Sequence, residues 1–369
     1  MDHVAFGRTG LRVSPLCLGT MTFGTQSDEA TSFAILDKAF DAGVTFIDTA
    51  NMYPNGHDGE LAGLTEEIIG RWITAGNKRD DIVLATKFYA PMGANPWDMG
   101  GSRKHIMKAV DESLTRLQTD YLDLYQIHFF DRTTPIDETL QALDDLVRSG
   151  KVHYIGCSNY AAWQVSMALG RSDVLGVARY ASVQPRYNLL FRDIERELIP
   201  MSQHENLALL VYNPLAGGML TGKHQQSTGP TEGTRFTMGS AAKRYQQRYW
   251  ADDKFEVVAE LKALADEAGM SLVQMAIAWV LANPAGLIPI VGASKAEQLT
   301  DSLAAVESPL DADLKTKLDE LTSHYRAVTP PANQTPRTGD GSGRPSSRIR
   351  DQFGVGGTVQ IMKWLSQSW

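Results

Sequence analysis

Cysteine is nearly absent from this chain, with two in 369 residues, Cys17 and Cys157. They fall in separate apolar segments that read as strands, so a pair of free thiols is expected in place of a disulfide. Long hydrophobic runs are missing as well. No stretch of 18 or more apolar residues occurs, so no membrane span is expected. The opening MDHVAFGRTG lacks the apolar core of a secretory leader, and a cytoplasmic location is expected. Positive charge is not in excess. The formal net charge is -8, which argues against nucleic acid or an anionic membrane surface as partner. Several motifs are also lacking. No GxGxxG lies between a strand and a helix, no GxSxG elbow occurs, and no His/Cys/Asp group has zinc spacing, so no metal is expected. Gly217 to Lys223 has the glycine-to-lysine spacing of a P-loop, but His224 stands where the magnesium-binding Ser or Thr belongs.

What is present is alternation. Short apolar runs read as strands at Leu16–Gly19, Phe46–Thr49, Ile82–Lys87, Leu122–His128, Val152–Cys157, Ser182–Gln184, Ala208–Tyr212 and Ile288–Val291. Helical patterns lie between them, at Asp28–Ala42, Leu64–Thr74, Arg103–Leu117, Ile136–Arg148, Ala161–Leu169, Ile194–Glu205, Asp253–Ala268 and Lys295–Ala305. Thr134 with Pro135 and Asp137 reads as an N-cap, a first-turn proline and a first-turn acid. Eight such units predict an α/β (β/α)8 TIM barrel over residues 1–327. An N-terminal hairpin in VAFGRTGLRVS and two extra helices, Ser271–Ala282 and Asp311–Tyr325, are expected outside the eightfold count.

Four polar residues stand at or just past predicted strand ends: Asp48, Tyr53, Lys87 and His128. In a barrel of parallel strands this is where chemistry is done. Reduction of a carbonyl puts negative charge on oxygen, which must be protonated. Tyrosine, with a pKa of about 10, is too weak an acid for this at neutral pH. A neighbouring ammonium lowers that pKa. Lys87 is therefore the expected tuner of Tyr53, Asp48 the partner of Lys87, and His128 the group that orients the carbonyl and bonds the developing oxyanion.

The stretches GRTGLRVSPLCLGTMTFG, FIDTANMY, ATK, LDLYQIHFFD, GKVHYIGCSNY, SVQPRYNLL, VYNPLAGGMLTGK and IVGASKAEQL resemble the aldo-keto reductases, from Gly7 to about Leu299. NMYPNGHDGELAGLTEEIIGRWI is similar to the bacterial branch that also resembles potassium-channel β subunits. The resemblance implies NADPH (NADP+) as cofactor and an aldehyde or ketone as substrate. It leaves a second possibility, a cofactor-sensing binding subunit with little turnover. A barrel of this type can work as a single chain.

The resemblance also implies cofactor contacts. Ser158, Asn159 and Gln184 would hold the carboxamide, with Tyr212 stacked on the nicotinamide. Gly19, Thr20, Met21, Asp48, Pro214, Leu215, Gly217, Arg235 and Gln298 complete the implied set. From the residues themselves, the glycine-rich loop Asn213–Lys223 allows close backbone approach to a phosphate, and Lys223 suits the pyrophosphate. Gly292, Ser294 and Lys295 at the start of the eighth helix suit the extra phosphate that separates NADPH from NADH. Phe88, Trp97 and Phe129, with Tyr53 and His128, are the expected substrate walls, suited to a bulky or aromatic carbonyl.

The tail differs from the rest. TPPANQTPRTGDGSGRPSSR lacks helical or strand period, and residues 328–369 are expected to be disordered. Arg337, Arg344, Arg348, Arg350 and Lys363 oppose only Asp340 and Asp351 there.

Overall fold

Eight parallel strands close on themselves in a computed structural model that describes residues 1–54 and 59–326. The strands are β3 (Cys17–Gly19), β4 (Phe46–Asp48), β5 (Val83–Phe88), β6 (Leu122–Ile127), β7 (Val152–Ser158), β8 (Ser182–Gln184), β9 (Ala208–Val211) and β10 (Ile288–Val291), and β10 pairs back to β3. This is the (β/α)8 barrel. The disorder expected for 328–369 lies outside the described residues.

Alternation along each strand divides the core in two. One set of side chains fills the barrel, among them Cys17, Phe46, Ala85, Leu124, Leu210, Ile288 and Ile290. The other packs outward on the helices, as Leu18, Ile47, Leu84, Tyr125 and Ile155 do. The hairpin β1 (Val4–Ala5) and β2 (Arg12–Val13) sends Phe6 and Val13 into the inner set. Its turn residue Gly7 has φ +55°, and a Cβ there would sit 2.6 Å from the amide nitrogen of Ala208, at the start of β9. The hairpin therefore stops the end of the barrel opposite the strand C-termini.

The helices are α1 (Glu29–Asp41), α2 (Leu64–Gly76), α3 (Arg103–Leu117), α4 (Ile136–Arg148), α5 (Ala162–Leu175), α6 (Leu198–Glu205), α7 (Ala242–Tyr249), α8 (Asp252–Glu267), α9 (Leu272–Leu281), α10 (Leu299–Ala304) and α11 (Ala312–Leu321). Side chains of Asp28, Ser102, Ser271 and Asp311 cap four of them by accepting from the backbone three residues on. The predicted extra helices are α9 and α11. The buried Arg192 guanidinium fastens α11 to the loop after β8 through Asp319 and Thr322.

Two local expectations need correction, and one element is new. Pro135 itself is the N-cap of α4, and the Thr134 hydroxyl instead donates to Asp131 at 2.8 Å. The eighth helix is not one long element: a 3-10 turn (Ala296–Gln298) precedes the six-residue α10. α7, in the long connection between β9 and α8, was not foreseen. Among the described residues no single helix is long and apolar enough to cross a membrane.

Candidate active site

The strand registers put the predicted residues at one end of the barrel. Gly19 pairs with Asp48, and Asp48 with Ala85. One rung further on, Lys87 pairs with Gln126 and Gln126 with Gly156. Ser158 pairs with Gln184.

Lys87 is fully buried and Asp48 nearly so. Its ammonium is ion-paired to Asp48 Oδ2 and also donates to the Thr49 carbonyl at 2.9 Å. The same nitrogen lies 5.5 Å from the centroid of the Tyr53 ring. The Tyr53 and His128 rings meet edge to face at 6.0 Å, and His128 stacks on Phe129 at 4.6 Å. The backbone N–H of His128 donates to the Phe88 carbonyl at 2.9 Å, which sets the His128 backbone beside the end of β5. The four expected residues are thus brought together.

Their electrostatics differ in part from expectation. Burial pushes the Tyr53 phenol well above the usual tyrosine range; Asp48 adds to this, and Arg235 acts against it. Lys87 is not what sets the direction in this state. Burial also holds the His128 imidazole well below its usual range, with Lys87 and Arg244 in the same sense. At neutral pH the site therefore contains a protonated phenol beside a neutral imidazole.

The polar residues assigned to the carboxamide form one connected chain. Tyr212 Oη donates to Asn159 Oδ1 at 2.8 Å, and Asn159 Nδ2 donates to the His128 carbonyl and to Ser158 Oγ, each at 3.1 Å. Ser158 Oγ donates to the Gln184 carbonyl at 2.8 Å, and Gln184 Nε2 donates to Asp48 Oδ1 at 2.9 Å. Asn159 takes φ +58°, a conformation that asparagine tolerates.

The loop after β9 is built for close approach. Asn213, Ala216, Gly217 and Gly218 all have positive φ. A Cβ on Gly217 would lie 2.7 Å from the Tyr245 ring, so α7 packs directly on this loop. The buried side-chain nitrogen of Asn213 has no hydrogen-bond partner among the described residues. Pro214 is buried, Leu215 half-buried and Lys223 exposed.

Arg235 reaches back across the mouth. Its Nη1 donates to Tyr245 Oη at 3.0 Å and lies 4.0 Å from Met21 Sδ, and its Nη2 would be 3.5 Å from a Cβ on Gly292. Burial opposes ionisation of Tyr245, yet Arg235, with Arg244 and Arg248, holds that phenol below its ordinary range. Thr20 Oγ1 donates to the Asp48 carbonyl at 3.0 Å, and a side chain on Gly19 would collide with Ile290. On the far side, Ser294 donates from its backbone and hydroxyl to Gln298 Oε1, and Lys295 is exposed.

One assigned wall is corrected. Phe88 is fully buried in the layer between barrel and helices, stacked on Tyr125 at 4.8 Å. Strand alternation sends it outward because Lys87 points in. Tyr89, at φ +131°, lies edge to face on Phe129 at 5.5 Å instead. Trp97 is half exposed, with the Lys104 ammonium 4.7 Å above its ring.

Three residues at the site were missed: Gln126, Arg244 and Tyr245. Gln126 sits two positions before His128, so counting back along the same strand face would have found it. Arg244 and Tyr245 lie on α7, whose existence was not read. Among the described residues no group of three or more His, Cys, Asp or Glu could hold a metal ion.

The chain matches the family model described as "Aldo/keto reductase family" over residues 15–323. It is 41% identical over 337 residues to an uncharacterized oxidoreductase, YrpG, of Bacillus subtilis, covering 90% of this chain and 99% of that protein. It is 37% identical to a probable voltage-gated potassium channel subunit beta of Arabidopsis thaliana, over 83% of this chain and 92% of that protein. It is 35% identical to the protein tas of Escherichia coli, over 90% of this chain and 100% of that protein.

Proposed function

The chain belongs to the aldo/keto reductase family, and on that premise we propose that it reduces an aldehyde or ketone to the alcohol with NADPH, in the cytosol. The observation that carries the reading is the convergence of Tyr53, His128 and the buried Lys87–Asp48 pair at one barrel end. The residues present suit a nicotinamide dinucleotide. A buried, unpartnered Asn213 amide nitrogen and a run of positive-φ residues sit beside a hydrogen-bonded chain of amide and hydroxyl groups. Ser158, Asn159, Gln184 and Tyr212 would hold its nicotinamide end, with Gly19, Thr20 and Met21 lining the same mouth. The loop Asn213–Lys223 with Arg235 would hold the pyrophosphate, and Gly292, Ser294, Lys295 and Gln298 the adenosine end.

When bound, the cofactor supplies the hydride that adds to the carbonyl carbon. The chain's own residues handle the proton. Tyr53, held protonated by its burial, gives its phenolic proton to the carbonyl oxygen, and solvent later restores it. Lys87 stabilises the phenolate left behind, and Asp48 keeps Lys87 in place. His128, neutral, hydrogen-bonds the carbonyl oxygen as charge builds on it. Tyr89 and Phe129, packed edge to face, and the half-exposed Trp97 would line the substrate side and favour a bulky or aromatic carbonyl.

Purified protein should consume NADPH in repeated turnovers with at least one member of a panel of aldehydes and ketones, read by loss of its near-ultraviolet absorbance. The similarity to a potassium channel subunit beta favours a second reading, a cofactor-sensing binding subunit. Tight cofactor retention through purification with no turnover on any panel member would support that reading and refute the first.

A further inference from the structure

A glutamine amide buried inside a barrel of apolar side chains is unfavourable unless its hydrogen bonds are met. Gln126 is fully buried there, and the fold makes room for it. Its neighbour in register is Gly156, where a Cβ would lie 3.3 Å from Gln126 Cγ and 2.5 Å from Ser182 Oγ.

The amide nitrogen of Gln126 donates to Asp48 Oδ1 at 3.1 Å. Gln184 Nε2 donates to the same oxygen at 2.9 Å and also lies 3.4 Å from Gln126 Oε1. A carboxylate only accepts, so both glutamines must turn their nitrogens toward Asp48. The two hydrogens of Gln184 Nε2 are then committed, one to Asp48 and one to Gln126. The oxygen of Gln184 is the end this cluster leaves to accept a further bond.

We infer that Gln126 is a positioning residue that locks the Gln184 amide with its oxygen presented to the N–H2 group of a nicotinamide carboxamide. The inference rests on the proposed cofactor reading and adds to it a fixed polarity at one contact. It also ties that contact to the catalytic ion pair, because Asp48 joins both. Loss of Gln126 frees the Gln184 amide to turn over and present the wrong end.

The test is a binding titration by quenching of tryptophan fluorescence, with no turnover required. The ligands are NADP+ and its 3-acetylpyridine analogue, whose methyl ketone has no N–H2 to donate. Gln126→Met keeps the volume and removes the hydrogen bonds. It should weaken NADP+ by roughly two- to tenfold, the weight of one neutral hydrogen bond, and leave the analogue within error. In a Gln184→Met background the same substitution should have no further effect on NADP+. If Gln126→Met does not fold, Gln126→Asn, shorter by one methylene, should give the same pattern. Equal weakening of both ligands, or an unchanged affinity for NADP+, overturns the inference while the cofactor reading stands. Wild-type protein that binds neither ligand overturns both.

Discussion

The Lys87 ammonium lies 5.5 Å from the centre of the Tyr53 ring, while its hydrogen bonds go to Asp48 and the Thr49 carbonyl. The lysine therefore sits beside the phenol ring with these hydrogen bonds made to other groups. Burial, with Asp48 in the same sense, outweighs any help toward ionisation. The arrangement keeps the Tyr53 phenol protonated with a buried ammonium beside its ring, as the proposed acid role requires.

Tyr53→Phe should accordingly lower carbonyl reduction by roughly a hundred- to ten-thousandfold, the usual weight of a general acid. The dissociation constant for NADPH should hardly move, since the proposed partner of the lost hydroxyl is the carbonyl. Steady-state rates and fluorescence titration measure the two quantities. Turnover close to wild type would remove Tyr53 from its assigned role.

The buried ion pair gives a stability prediction. Lys87→Met leaves the Asp48 carboxylate with two neutral amide donors and no cation, and breaking a buried pair from one side costs about 3–5 kcal/mol. Adding Asp48→Asn removes the stranded charge and should recover much of that loss without restoring turnover. Urea unfolding of wild type, both single variants and the double variant closes the cycle. Purely additive losses would mean that the pair does not act as a unit.

The barrel and the four central residues were legible because each depends on short-range pattern. Strand period sets which residues reach the interior, and Asp48, Lys87 and His128 stand at or just beyond strand ends. Phe88 was misread for the same reason in reverse. It neighbours Lys87 in sequence, so it must face the opposite side of the strand, against Tyr125. Arg235 was placed by resemblance, but its contact with Met21 spans 214 residues of chain and follows only from the closed barrel. The direction of the Tyr53 shift was equally hidden, because burial is a property of the whole mouth and not of the neighbouring lysine.

Cofactor choice should divide between two basic residues. Lys295 is exposed and stands before a 3-10 turn and a short helix, so a 2′-phosphate would be held mainly by side-chain charge. Lys295→Ala should weaken NADPH by roughly ten- to a hundredfold, as for one charge-assisted contact, and leave NADH nearly unchanged. Arg235 instead braces Tyr245 and Met21, so Arg235→Ala should weaken both cofactors. Titrating each variant with each cofactor separates the patterns. Equal losses for Lys295→Ala would move the phosphate contact elsewhere, with Lys223 and Arg235 next in line.

His105 on α3 predicts an acid sensitivity unrelated to the site. It is 1% exposed, and neither ring nitrogen has a hydrogen-bond partner among the described residues. Burial pulls its pKa from 6.5 down to about 4, with Asp98 opposing and Lys108 assisting. Between those two values the unfolded chain binds a proton that the folded chain does not, so stability falls as pH drops through that window. The shift corresponds to a loss on the order of 3 kcal/mol, complete only near the lower value, and none of it is felt above the upper one. His224, packed on Phe236 and Trp250 and likewise pulled down to about 4, contributes in the same direction, so the comparison must be a difference. His105→Leu should match or exceed wild-type stability at neutral pH and lose less of it on acidification. Parallel stability–pH curves for the two proteins would show that His105 titrates normally in the folded state.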